Sequence, residues 1–74
     1  MPGRILRDIP ADRVIRAFEK AGYVVSRVSG SHFVLKHSEC ATVIIPRHRI
    51  VKLGLLLSQV KQSGLSVEEF EDLL

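Results

Sequence analysis

Residues 22–46 read GYVVSRVSGSHFVLKHSECATVIIP. Three runs rich in β-branched and aromatic residues stand out: Tyr23 to Val28, His32 to His37, and Ala41 to Ile45. Turn signals at Gly30-Ser31 and Ser38-Glu39 separate them. Connections this short predict an antiparallel meander of three strands, which Pro46 ends.

Both flanks carry helical patterns. Residues 10–21 place Val14, Phe18 and Ala21, with Ile15 beside them, on one apolar stripe. Pro10 suits a first helical position, Asp12 complements the helix dipole, and Gly22 stops the helix. Beyond a basic connection, Arg47 to Lys52, a second helix is predicted from Leu53, with Leu53, Leu56, Leu57 and Val60 on one face and Gly64 at its end. Leu55 falls off that stripe and is expected to be exposed. Ser66 with Glu69 three residues on is a capping box opening a short last helix that carries Phe70, Leu73 and Leu74. The order is α-β-β-β-α with a terminal helical segment, an α+β fold with helices on one face of the sheet. The other face is then open to a ligand.

At 74 residues, residues 1–74 read as one domain whose core spans about 10–74. A chain this short buries only roughly 60% of its unfolded surface, so an oligomer or tight partner is expected. Its single cysteine, Cys40, excludes an intrachain disulfide and a cysteine-built zinc site. Met1-Pro2-Gly3-Arg4 leads into no apolar run of signal-peptide length, and no stretch is long enough to span a membrane. A small cytoplasmic protein is expected. Net charge is +3, but Glu68, Glu69, Glu71 and Asp72 all fall in the last nine residues. Residues 1–65 hold eleven basic and four acidic groups, a balance of +7. A body so charged attracts phosphate irrespective of sequence. The acidic end reads as a solvated helix face or a partner contact.

His32 follows Gly30-Ser31 directly, at the mouth of a tight turn, where rigid sheets commonly present chemistry. Strand alternation puts His32, Val34 and Lys36 on one face and Phe33, Leu35 and His37 on the other. A neutral imidazole takes up a proton near pH 7, and an ammonium group stabilises phosphoryl charge. From spacing alone, the favoured reading of His32 is a surface residue that helps to close the turn. The spacing of His32, His37 and His48 matches no common metal-ligand pattern. A serine–histidine pair between Ser31 and His32 is not expected, because adjacent strand residues point apart and no G-x-S-x-G elbow is present. His48, within Arg47-His48-Arg49, reads as part of a basic patch or as a solvated loop. No phosphate loop or dinucleotide fingerprint is present.

Taken in order, Lys20-Ala21-Gly22-Tyr23, Gly30-Ser31-His32, Lys36-His37, Val43-Ile44-Ile45-Pro46-Arg47-His48, Lys52-x-Gly54 and Lys61 to Phe70 resemble the HicA-type toxins. These are small messenger-RNA interferases of toxin–antitoxin pairs, and the resemblance spans roughly residues 10 to 74. It implies a fold like that of double-stranded-RNA-binding domains. It also implies cleavage of messenger RNA with no metal or other cofactor, and neutralisation by a HicB-type antitoxin, with a homodimer or a heterotetramer as the expected assembly. His32 occupies the position of the family's catalytic histidine. Arg27, Ser31, Lys36, Arg47, His48 and Lys52 are the expected RNA contacts. Leu53, Leu55 and Leu57 stand where family members often carry a basic residue, a threonine and a further basic residue, so a more apolar contact is expected of the second helix.

Three other readings compete. A non-catalytic RNA-binding module of the same topology usually has a lysine cluster opening its second helix, where this chain offers only Lys52. A helix-turn-helix DNA binder would push four carboxylates toward phosphates. A pure protein-interaction domain predicts no RNA affinity.

Overall fold

The computed structural model describes residues 8–47 and 49–74. His48 and the Met1–Arg4 segment lie outside the described residues. The chain runs β1 (Ile9–Pro10), α1 (Ala11–Lys20), β2 (Val24–Ser29), β3 (His32–Lys36), β4 (Val43–Pro46), β5 (Ile50–Val51), α2 (Leu53–Ser63) and α3 (Val67–Leu73). The meander expected at residues 22–46 is an antiparallel sheet of order β2-β3-β4. The whole is an α+β arrangement of the double-stranded-RNA-binding type.

One face of the sheet makes the core. Leu35, Val43 and Ile45 point inward and are fully buried together with Val14, Ala17 and Phe18 of α1 and Leu56 and Val60 of α2. Each such aliphatic side chain contributes roughly 1.5–3 kcal/mol by leaving water. Phe18 joins three elements. Its ring meets Phe70 of α3 at 4.9 Å and Tyr23 edge-on at 5.3 Å. The α1 stop is built as the sequence predicts: Gly22 takes φ +102, while the amides of Gly22 and Tyr23 donate to the carbonyls of Glu19 and Phe18. This pair of hydrogen bonds closes the last turn, and the positive φ is what glycine supplies. The Ser66 capping box is also present: the Glu69 amide donates to Ser66 Oγ at 3.0 Å, and the Ser66 amide donates to Glu69 Oε1 at 2.8 Å.

The structure corrects several expectations. Pro10 is not the first helical residue. It lies in β1 as the cap, because the Ala11 amide donates across to the Arg49 carbonyl. Strand β4 begins at Val43 rather than Ala41. The carbonyls of Ala41 and Thr42 are taken by the Tyr23 hydroxyl at 2.6 Å and by Gln62 Nε2 at 3.0 Å, which removes them from the ladder. The second connection is therefore longer than a tight turn. The basic connection holds a short strand, β5, paired antiparallel with β1. Leu57 is 38% exposed, as is Leu55, so it does not belong to the buried stripe. Glu71 is buried rather than part of a solvated acidic face.

Two long-range side-chain contacts fasten the second half. Asp8 Oδ1 accepts the Leu53 amide at 2.8 Å, capping α2 from 45 residues away. Gln59 Oε1 accepts the outward amide of Ile44 at 2.9 Å. Pro46, two residues on, turns its nitrogen to the same outer edge, where a missing donor costs no ladder bond. Among the described residues no helix is long and apolar enough to cross a membrane.

Candidate nucleic-acid interface

The open face of the sheet carries Val24, Arg27, Ser29, His32, Val34, Lys36 and Ile44, by the pairings Val24↔Lys36, Arg27↔Val34, Ser29↔His32 and Val34↔Ile44. Arg27 reaches this face through an irregularity. The register shifts between Val25 and Arg27, so Ser26 is an extra, bulged residue. Strict alternation would place Arg27 on the same side as the core-facing Val25. The bulge turns it outward, a recognised use of bulges beside functional sites. No local signal in Val24-Val25-Ser26-Arg27 announces it.

Gly30 and Ser31 form a two-residue hairpin loop. Only Gly30 has positive φ, at +57, which fits the type II′ turn that begins with glycine. His32 opens β3 directly after it and is exposed. Ser31 Oγ lies 3.2 Å from His32 Nδ1. This overturns the expectation that the two side chains diverge. The alternation rule holds within strands, but Ser31 belongs to the turn, where its side chain is free to swing toward the next residue.

Arg47 is drawn to the same turn. Its amide donates to the Ser31 carbonyl at 2.6 Å, continuing the β3–β4 ladder past its last residue. Its Nη1 donates to the Gly30 carbonyl at 3.2 Å, and the guanidinium lies 5.9 Å from the Phe33 ring centroid. Phe33 packs toward the core side, so Arg47 wraps the end of the sheet instead of lying on the open face.

Arg27 sits diagonally from His32, a separation of roughly 7–8 Å between neighbouring strands. Lys36 shares the face but stands four residues along β3, roughly 13 Å away. Lys52 is exposed and caps α2 outside this sheet. Thus the structure gathers Ser31, His32, Arg47 and Arg27 around one hairpin end and sets Lys36 further along the same face. Lys52 belongs to another part of the fold. His37 turns to the core side, where its Nδ1 accepts the Glu39 amide at 2.9 Å and its ring meets Tyr23 at 5.1 Å.

Two further grooves lie elsewhere. One, between α2 and α3, is lined by Leu57, Val60, Leu65 and Val67 with Lys61 and Glu69 at its rim. The other is bordered by Arg13, Arg16 and Lys20 of α1 with Leu73 and Leu74. Neither touches the hairpin.

An exposed imidazole with one ring nitrogen already engaged, on a half-apolar sheet face bearing cations, is suited to moving a proton beside a phosphate. In a comparison with protein families, the model of a family described as the HicA toxin of bacterial toxin–antitoxin systems matches residues 11–65. Nothing among the curated proteins or the solved structures matches the chain.

Proposed function

Because the chain belongs to the HicA toxin family of bacterial toxin–antitoxin systems, we propose that it is an endoribonuclease that cuts messenger RNA at His32 without a metal. The observation that carries this reading is the exposed Ser31–His32 pair on a sheet face shared with Arg27 and Lys36. RNA brings its own nucleophile. In the proposed reaction His32 Nε2 removes the proton of a 2′-hydroxyl, whose oxygen attacks the adjacent phosphorus. The bond to the 5′-oxygen breaks, and that oxygen takes up a proton. The products are a 2′,3′-cyclic phosphate and a 5′-hydroxyl end. General acid–base help of this kind is worth about 10²–10⁴-fold.

Arg27, the nearest cation on the same face, offsets charge building on the phosphorane. Lys36, roughly 13 Å along β3, instead holds a neighbouring phosphate. Val24 and Ile44, both exposed on this face, offer apolar ground on which unstacked bases can rest. One histidine serving as both base and acid makes a slow enzyme. Access to the in-line geometry favours single-stranded RNA over a stacked duplex. Outside this face, Leu55 and Leu57 of α2 are the apolar contacts assigned to a HicB-type antitoxin, in a heterotetramer or beside a second copy of the toxin.

The test is cleavage of a short RNA by the purified chain in the presence of a chelator, with and without a 2′-O-methyl group at the cut site. Cleavage of the plain RNA alone, leaving a cyclic phosphate, is the expected result. His32→Ala should lose at least about 10²-fold in rate while keeping its fold. Cleavage of the methylated RNA, or arrest by the chelator, would refute the mechanism. Binding without cleavage by the wild type would favour a non-catalytic RNA-binding module.

A further inference from the structure

We infer that Ser31 is a positioning residue: its Oγ accepts a hydrogen bond from His32 Nδ1–H, and this fixes the tautomer in which Nε2 carries the free lone pair. The inference rests on His32 acting as the base in the reading above. It starts from the 3.2 Å separation of Ser31 Oγ and His32 Nδ1.

A neutral imidazole has one donor and one acceptor nitrogen, and whichever group the first one meets decides the role of the second. Nε2 can take a proton only while Nδ1 holds one. An unrestrained histidine in water prefers the opposite tautomer, so a lone exposed His32 would spend most of its time with its free lone pair on Nδ1 and unable to take a proton at Nε2. A serine hydroxyl that accepts from Nδ1–H redresses this, whereas one that donates to a bare Nδ1 would favour the other tautomer, and the ring spectrum below separates the two. The same bond persists when Nε2 gains a proton, because Nδ1–H still donates, now from a charged ring. No rearrangement interrupts the step.

The hydroxyl is effective because its backbone is held. The Ser31 carbonyl accepts the Arg47 amide, and the Gly30 carbonyl accepts Arg47 Nη1. Both carbonyls of the turn are thereby tied to Arg47, just past the end of β4. Arg47 reaches His32 only through Ser31 and the turn.

Long-range ¹H–¹⁵N correlation of the histidine rings reads the tautomer directly, in RNA-free protein at a pH where His32 is neutral. The expected result is Nδ1–H in the wild type, Nε2–H in Ser31→Ala, and Nδ1–H again in Ser31→Thr. Cleavage of the plain RNA should fall about tenfold in kcat with KM unchanged for the alanine variant, and recover with threonine. An Nε2–H tautomer in the wild type, or the same tautomer in wild type and Ser31→Ala, would overturn the inference even if RNA is cut. If the wild type shows the expected tautomer but cuts no RNA, the ribonuclease reading fails, and the role of Ser31 in holding the ring stands. An unchanged amide spectrum outside residues 29–33 shows that the variants are folded.

Discussion

Arg47 Nη1 donates to the Gly30 carbonyl at 3.2 Å, so the residue that follows the last strand of the meander also grips the turn in front of His32. An arginine does this with a planar fork: one arm bonds the carbonyl while the flat group rests against Phe33. A lysine has the charge without the plane.

Arg47→Lys should therefore behave as a damaging change. Cleavage should slow about tenfold, whereas the salt dependence of RNA binding, which follows charge alone, should stay as in the wild type. Parallel measurement of the cleavage rate and of affinity across a salt series checks both halves.

Arg27 and Lys36 divide the labour differently. Both should contribute to binding, each lowering the slope of log affinity against log salt by roughly 0.7 when changed to alanine. Only Arg27→Ala should also depress kcat, because only Arg27 lies diagonally beside His32. Equal effects of the two substitutions on kcat would contradict the geometry.

How much of this was legible in the chain depends on range. The meander, the Gly22 stop and the Ser66 box each follow from residues within a few positions of one another, and the structure contains them all. Three features escaped because their causes are distant or hidden. The Ser26 bulge is imposed by pairing with β3. The β1–β5 pair joins two residues to two others across some forty positions. The Ser31–His32 contact required knowing where the turn stopped and the strand began. Glu71 stands among acidic neighbours in the sequence, yet the packing of α3 buries it along with Phe70.

Asp8 illustrates the long-range class and gives a stability test. Lys52, at the cap of α2, supplies no side-chain bond, and Asp8 takes over that duty. Asp8→Ala should cost about 1 kcal/mol, as a lost helix cap does. Denaturant unfolding measures it. No loss would mean that water caps α2 equally well.

Tyr23 gives a pH test. Burial, and then the neighbouring Cys40, raises its phenol above the ordinary value of 10.0. The unfolded chain ionises this group first, so the stability it supplies is intact below pH 10 and is lost as pH climbs beyond. Tyr23→Phe removes the 2.6 Å bond to the Ala41 carbonyl and should cost about 1 kcal/mol at neutral pH. The gap in Tm between wild type and variant should then narrow above pH 10. A gap that stays constant would show that the phenol titrates alike in both states.

Gly22 should tolerate no side chain. Its φ of +102 disfavours any other residue, and an added Cβ would lie 2.8 Å from His37 Nε2. The His37 ring has little room to yield, being held by Glu39 and Tyr23. Gly22→Ala should cost more than about 1 kcal/mol. Thermal unfolding decides it.

The glutamines on α2 have a consequence for how the chain behaves in a crowd. Gln59 accepts the amide of Ile44, and Gln62 donates to the carbonyl of Thr42. The amide is the backbone's own functional group, so two side chains of a helix impersonate part of a fourth strand. An incoming chain finds those valences occupied on that rim. On the opposite rim it meets a strand kinked at Ser26 and bearing Arg27, a poor template for accretion. A sheet that must leave one face bare for its work is thus guarded at both margins against growing into a fibre.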